Sequence, residues 1–257
     1  MIENYSYKYQ DDAGRLIFVP TNASREFGNK LIARILKRWQ PPNICYHLLP
    51  GGHVAAARAH LPNGLFVRMD IRHFFDTITR TKVHRSLRGI GFKQRHAYDA
   101  ALRSTVSKAT SGSIAPYSLP FGFVQSPMLA TLALMSSALG GAIAALHAAG
   151  VVTVSVYMDD IILSGRCVAD LAAAKESLEA VATVAGFTFN SKKGSGPAPF
   201  VTVFNLDIQH NHMELTPDRF ARFTSDILTY RDKSITGGIL SYVSVVDVAQ
   251  TAALAAL

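Results

Sequence analysis

Tyr157-Met158-Asp159-Asp160 places two carboxylates side by side between apolar runs, Val151-Val152-Thr153-Val154-Ser155-Val156 before them and Ile161-Ile162-Leu163 after them. The β-branched flanks read as strand, tight turn, strand, so the two anions sit at the tip of a hairpin. Adjacent anions repel unless a cation lies with them. Carboxylate oxygens on a strand turn suit a hard divalent ion, Mg²⁺ with a phosphate-bearing substrate. A solvated turn with Asx hydrogen bonds is the plainer reading of an Asp-Asp pair, but it does not need two almost wholly apolar strands. A third carboxylate decides between them. Leu65-Phe66-Val67-Arg68-Met69-Asp70 is another β-like run ending in Asp, about ninety residues upstream. If the two strands are neighbours in one sheet, Asp70 and Asp159 meet at its edge and hold two metal ions. Two ions so held clamp the attacking and leaving oxygens of an in-line phosphoryl displacement.

The rest of the chain must position that edge. Residues 5–19 read as a hairpin around Asp11-Asp12-Ala13-Gly14. Residues 24–39 read as a basic amphipathic helix with Phe27, Leu31, Ile35 and Trp39 on one face, ended by Pro41-Pro42. Strand 65–70 precedes helices over 80–89 and 92–108, and a loop from Pro116 to Pro127 starts a long helix, 128–148. Hairpin 151–164 leads to a helix with Asp170 as N-cap, a stripe of Leu171, Ala174, Leu178, Val181 and Ala185, and Gly186 closing it. Phe187-Thr188-Phe189 reads as a short strand, 200–208 and 212–216 as a last hairpin, and the remainder as helix. Helices alternating with strands around an antiparallel hairpin indicate an α+β fold.

Composition bounds the partners. The 257 residues are 49% apolar and carry a net charge of +8, which indicates a globular chain and favours a polyanionic partner over a basic protein that binds no nucleic acid. Cys45 and Cys167 have no metal-ligand spacing and imply a reduced, cytoplasmic setting. No signal-peptide pattern opens the chain. Met128 to Val154 is uncharged and long enough to cross a bilayer, yet it is rich in Ala, Ser and Gly and runs into the carboxylate hairpin, so it reads as buried helix and strand rather than a membrane span. His210-Asn211-His212 reads as a solvated hairpin turn rather than a metal site.

Four segments, in order, resemble the motifs of reverse transcriptases. Asp70-Ile71-Arg72-His73-Phe74-Phe75 resembles the first palm motif, and Leu119-Pro120-Phe121-Gly122-Phe123-Val124-Gln125-Ser126-Pro127 the Leu-Pro-Gln-Gly…Ser-Pro motif. Tyr157-Met158-Asp159-Asp160 resembles the catalytic hairpin, and Gly186-Phe187-Thr188-Phe189-Asn190-Ser191-Lys192-Lys193 the lysine-terminated motif after it. The likeness leans toward bacterial retron-type and defence-associated (Abi-like) enzymes. Ala56-Ala57-Arg58-Ala59-His60 is similar to their Asn-Ala-x-x-His element without its Asn. Val201-Thr202-Val203 is similar to their Val-Thr-Gly without its Gly, and Leu215-Thr216-Pro217-Asp218-Arg219-Phe220 to the stretch leading into the thumb.

The resemblance implies a right-hand polymerase fold, with fingers over 1–64 and part of 90–118, a palm over 65–208, and a connection hairpin and short helical thumb over 209–257. It implies an RNA-directed DNA polymerase of the bacterial cytoplasm, using Mg²⁺ or Mn²⁺, dNTPs and an RNA template, a structured non-coding RNA in the retron case, to make DNA. Asp70, Asp159 and the Ile71 carbonyl would hold the metals, with Asp160 either ligating directly or orienting the hairpin. Phe75 would exclude a ribose 2′-hydroxyl, and Gly122 would let backbone approach the nucleotide. Phe121 stands where the family has Gln, so an amide that could hydrogen-bond substrate is replaced by a ring. Tyr157 would line the substrate site, and Lys8 and Arg15 resemble the fingers cations that grip the triphosphate. Lys193, or Lys192, is the candidate general acid for departing pyrophosphate. Helix 24–39 and residues 80–108 could track nucleic-acid backbone.

Three rival functions remain: a template-independent or protein-primed DNA polymerase, an RNA-dependent RNA polymerase, which Phe75 disfavours, and a non-catalytic subunit of a nucleoprotein assembly. The thumb is sparse in cations, with Arg219, Arg222, Arg231 and Lys233 following Lys193, and its Ala/Leu-rich end packs either on its own palm or against a protein partner, a second copy or a structured RNA that completes the duplex channel.

Overall fold

The computed structural model describes residues 4–108, 117–230 and 232–257. The chain opens with β1 (Tyr5–Gln10), β2 (Leu16–Pro20) and α1 (Asn22–Leu36), then a 3-10 turn at Tyr46–Leu48 and α2 (Gly52–Arg58). β3 (Leu65–Asp70) leads to α3 (Phe74–Thr77), α4 (Arg80–Gly89), α5 (Gln94–Ser104) and a two-residue ribbon of β4 (Val106–Ser107) and β5 (Tyr117–Ser118). α6 (Ser126–Met135), α7 (Ala138–Ala149), β6 (Thr153–Tyr157), β7 (Asp160–Gly165), α8 (Val168–Val184) and β8 (Ser195–Ala198) follow. The chain closes with β9 (Phe200–Val203), β10 (Leu206–Gln209), β11 (His212–Leu215), α9 (Pro217–Tyr230), α10 (Lys233–Ser244) and α11 (Val248–Ala255).

The central sheet has the order β6-β7-β3-β8 and its pairs are antiparallel. Its strands read as nearly unbroken apolar runs because both faces are covered. Val67, Met69, Ile161 and Leu163 face a core shared with α4, α6, α7 and α8, whereas Phe66 and Ile162 face a second core built from α2, the β9–β11 sheet and the C-terminal helices. By strand alternation, Arg68, Asp70, Asp160 and Ser164 lie on the Phe66/Ile162 face.

Several elements differ from the sequence expectation. The helix expected over 128–148 is two helices bent by 75°. Ser137 breaks it: its Oγ donates to Leu134 O at 2.6 Å and accepts the Gly140 N–H at 3.2 Å, capping α7. A Cβ on Gly140 would stand 2.3 Å from Leu134 O, so the tight bend needs that glycine. No single helix among the described residues is long and apolar enough to cross a membrane, though this bent pair passes on length and composition together. The helix expected over 92–108 ends at Ser104, and Val106-Ser107 pair with β5 instead. α8 begins at Val168, with Asp170 in its first turn rather than at the cap. Phe189 makes only an isolated bridge to Ile71. Phe204 and Asn205, both at positive φ, split the expected strand 200–208 into β9 and β10, so the last hairpin belongs to a three-stranded sheet. Pro116, where the expected loop began, and Arg231 lie outside the described residues.

The C-terminal helices pack on the chain itself. Gln250 accepts the Leu215 N–H at 2.8 Å and donates to Leu215 O at 3.1 Å; Leu254 is buried; Tyr242 Oη lies 2.9 Å from His53 Nε2; and the Arg58 guanidinium donates to Val245 O.

Candidate active site

Asp70 ends β3 and Asp160 begins β7, and the two are partners in the β3–β7 register. Tyr157 pairs with Asp160, leaving Met158 and Asp159 as a two-residue turn. Met158 has φ 60°, a left-handed conformation that costs a non-glycine residue about 1–3 kcal/mol. Neighbouring backbone holds this tip: the Ile71 N–H donates to Asp159 O at 2.8 Å, the Asn190 N–H to Asp70 O at 2.8 Å, and the Val156 N–H to Ile44 O at 2.8 Å. The three carboxylates are therefore brought to one sheet edge, as their spacing implied.

Their surroundings are unequal. Lys193 Nζ lies 3.2 Å from Asp70 Oδ2, and the Asp70 side chain is only 4% exposed. Arg68 Nε and Nη2 lie 2.9 and 2.8 Å from Asp160 Oδ1. Asp159 makes no ion pair among the described residues. Burial pushes its carboxyl up to about 6, and the nearby Asp160 and Asp70 charges add to that rise while Lys193 opposes it. Burial also raises Asp160, against the pull of Arg68. The edge thus holds an under-neutralised set of hard oxygen donors, and Asp70 with Asp159 fits a divalent cation on donor chemistry and charge. Among the described residues no three His, Cys, Asp or Glu side chains form a ready cage, and Asp160 is engaged by Arg68. Arg68 was missed in the sequence. Its signal was period-two spacing from Asp70, which puts it on the same strand face.

A wall of rings is built around Phe75, five residues after Asp70. Phe75, 7% exposed, meets Phe121 edge-on at 4.7 Å and stacks on Phe74 at 6.0 Å. The Arg15 guanidinium and the Lys108 ammonium lie 5.7 and 5.9 Å from the Phe121 ring centre. The β1–β2 hairpin docks here because the Phe18 N–H donates to Phe121 O at 2.9 Å. A Cβ on Gly122, at φ +100°, would stand 2.3 Å from Phe18 O, so the chain's own packing already demands this glycine. Arg15 is braced by Asp11 at 2.7 Å, and Lys8 is exposed on β1 opposite Phe18.

Behind the carboxylate turn, Tyr157 and His60 stand with His47, His53, Asn63 and Thr131, which no motif marks in the sequence. The Met158 N–H donates to His47 Nδ1 at 3.2 Å, and His47 Nε2 lies 2.6 Å from Thr131 Oγ1. Tyr157 packs on Phe204 at 4.9 Å and near His47 and His53, lining a cavity of about 550 Å³ with Arg219, Phe223 and Tyr242. Deeper still, His60 is fully buried between Ser164 Oγ and Ser155 Oγ, 2.7 Å from each. Asn63 joins them through Ser164 Oγ at 2.8 Å and Thr153 Oγ1 at 3.0 Å. The His of the Ala56–His60 segment thus ties β6 to β7 beneath the turn.

The fold has relatives among solved structures. The foamy viral protease–reverse transcriptase in complex with double-stranded DNA matches with a TM-score of 0.51 at 16% identity, over 91% of this chain and 34% of that one. Telomerase from Candida albicans in complex with a telomeric RNA fragment matches with a TM-score of 0.56 at 8% identity, over 89% and 51%. Apo telomerase from Candida tropicalis matches with a TM-score of 0.53 at 13% identity, over 78% and 52%. The chain therefore spans about a third to a half of these proteins. No curated protein sequence matches it significantly. The reverse transcriptase (RNA-dependent DNA polymerase) family model matches residues 9–197, a stretch that runs from the first hairpin through the carboxylate edge to β8, and the chain belongs to that family.

Proposed function

We propose that the chain is an RNA-directed DNA polymerase of the retron or anti-phage defence type, adding dNTPs to a primer 3′-hydroxyl with release of pyrophosphate. The observation that carries this reading is the cross-strand placement of Asp70, Asp159 and Asp160 at one end of the central sheet. The central sheet is the palm, the first hairpin with α1 and α5 the fingers, and α9 to α11 a short thumb. Asp70, Asp159 and the Ile71 carbonyl would hold the catalytic Mg²⁺ or Mn²⁺. When bound, the metal pair lowers the pKa of the attacking hydroxyl and neutralises charge on the phosphates. Arg68 orients Asp160. Phe75, held by Phe121, fills the space a ribose 2′-hydroxyl would need. Arg15 and Lys8 face the triphosphate, and Lys193, whose side chain is 58% exposed at the rim, leaves Asp70 to give its proton to pyrophosphate.

The retron or defence assignment rests on the Ala56–His60, Val201–Val203 and Leu215–Phe220 segments, with a structured RNA as the template and a bacterial cytoplasmic setting. Phe121 in place of the family's Gln supports a second reading, template-independent or protein-primed synthesis, because the ring cannot hydrogen-bond an incoming nucleotide. The deciding experiment is a Mg²⁺-dependent incorporation assay with a primed RNA template, dNTPs and then NTPs, beside a reaction without template. Template-dependent dNTP incorporation is expected. Equal incorporation without template favours the second reading, and NTP-only synthesis overturns both.

A further inference from the structure

The turn that carries Asp159 is held by a side chain outside the motifs. Its first central residue is Met158, at φ 60°, a position where two-residue hairpins favour glycine. The strain persists only if its surroundings over-determine it. The Met158 N–H points into His47 Nδ1 at 3.2 Å. On the other side of the ring, Nε2 meets Thr131 Oγ1 at 2.6 Å. The Thr131 hydroxyl donates its own proton to Pro127 O at 2.9 Å, so it can only accept from the imidazole. With the hydroxyl so used, the neutral tautomer that carries its proton on Nε2 lets Nδ1 accept from Met158, in competition with the Val156 backbone acceptor that also meets the ring. The result is a directed chain from Met158 N–H through His47 and Thr131 to the first turn of α6. His47 is itself fixed, since Cys45 bridges Val156 and the Val156 N–H donates to Ile44 O at 2.8 Å.

Given the nucleotidyl-transfer function proposed for this site, we infer that His47 is a positioning residue, which holds the Met158–Asp159 turn in its strained form so that Asp159 faces Asp70. Thr131 sets the tautomer that lets it do so. His47 touches neither substrate nor metal. It acts through the Met158 amide.

Three variants separate this role from simple packing. H47N keeps an oxygen acceptor near the Nδ1 position, H47Q places its amide near Nε2 and leaves the Met158 N–H unmet, and T131V keeps the shape but removes the hydroxyl. The readouts are dNTP kcat and KM, the Mg²⁺ concentration for half-maximal rate, Tm, and the ¹⁵N resonances of the His47 ring. H47N is expected to stay within about threefold of wild-type kcat. H47Q is expected to lose at least about tenfold in kcat, with KM for dNTP little changed and the Mg²⁺ requirement raised. T131V should fall between them. The wild-type ring should carry its proton on Nε2. An Nδ1-protonated ring, or H47N and H47Q equally impaired in proportion to their Tm, would overturn the assignment. Because the ring resonances and the Met158 amide's hydrogen-exchange protection need no turnover, a wild-type protein that incorporates no nucleotide would sink the polymerase reading alone. Loss of Met158 protection in H47Q but not in H47N would still uphold the positioning role, and equal protection in both would end it.

Discussion

Asp70 and Asp160 face each other as register partners across β3 and β7, yet each is held by its own cation, Lys193 for the first and Arg68 for the second. Asp159, at the turn between β6 and β7, is the carboxylate of this edge that no ion pair satisfies among the described residues. That asymmetry organises what the site should do when its charges are changed.

Asp159→Asn should abolish dNTP incorporation while leaving the fold intact, since it removes charge and little volume. Activity within about tenfold of wild type would refute the metal assignment. The same variant should be the more stable protein in metal-free buffer at neutral pH. Asp159 has its carboxyl raised from 3.8 to about 6, so the folded state favours its neutral form. Its ionised form costs stability above about pH 6 and costs nothing below the unfolded value. D159N should gain on the order of 1–3 kcal/mol at pH 7.5, shrinking toward zero near pH 4. Urea unfolding at several pH values checks this. Added Mg²⁺ should raise the stability of wild type and not of D159N.

Phe75→Ala should open room for a 2′-hydroxyl and raise rNTP use relative to dNTP use by at least about tenfold, or about 1.4 kcal/mol of discrimination. Because Phe121 meets Phe75 at 4.7 Å, Phe121→Ala should shift the ratio in the same direction by a smaller factor. The measurement is competitive incorporation of matched dNTP and rNTP. An unchanged ratio in both variants would make the two rings packing alone.

The carboxylate edge was legible because its strands carry the nearly unbroken, β-branched apolar runs of a sheet buried on both faces, and because Asp70 and the Asp159-Asp160 pair end or begin such runs. β3 and α4 fell where expected for the same reason: each has one dominant signal, an apolar run or an amphipathic face after Thr79. What was not legible is tertiary. Uncharged residues 128–148 look alike all round, so periodicity gave no sign of the Ser137 cap that splits α6 from α7. The split at Phe204 and Asn205 depends on positive backbone angles at residues with no glycine signal. The ties of His47 to Met158, Arg68 to Asp160 and His60 to two serines connect residues about ninety or more positions apart, and nothing local announces them.

The buried histidines predict acid sensitivity. Burial drives His60 from 6.5 down to about 3 and His47 down to about 4. The unfolded chain therefore binds these protons more readily than the folded one. Their contribution to stability is complete above about pH 6.5 and is lost as pH falls toward their folded values. Asp159 acts with the opposite sign over part of that window, so the test is a comparison of variants. His60→Gln should be less stable than wild type at pH 7, because it breaks the serine bracket, and should show a shallower decline between about pH 6.5 and pH 5, by up to about 1.4 kcal/mol per pH unit for one proton. Parallel declines in the two proteins would mean that His60 takes up no proton on unfolding.

Arg68 and Asp160 should behave as a coupled pair. Two guanidinium nitrogens lie 2.8 and 2.9 Å from the same Asp160 oxygen, and both side chains are mostly buried. Removing one partner leaves the other partly buried and unpaired, whereas removing both leaves two neutral groups. Arg68→Met should therefore cost about 1–3 kcal/mol of metal-free stability. R68M/D160N should recover most of that loss, giving a double-mutant coupling of at least about 1 kcal/mol. Activity should separate from stability. Asp160→Asn should retain more incorporation than Asp159→Asn, since Asp160 is engaged by Arg68 whereas Asp159 makes no ion pair among the described residues. Arg68→Met frees the Asp160 carboxylate beside Asp70, so added Mg²⁺ should restore part of its stability, an effect absent from the double variant. Additive stability losses, or equal activity losses in D159N and D160N, would show that the arginine neither holds Asp160 nor sets it apart from its neighbour.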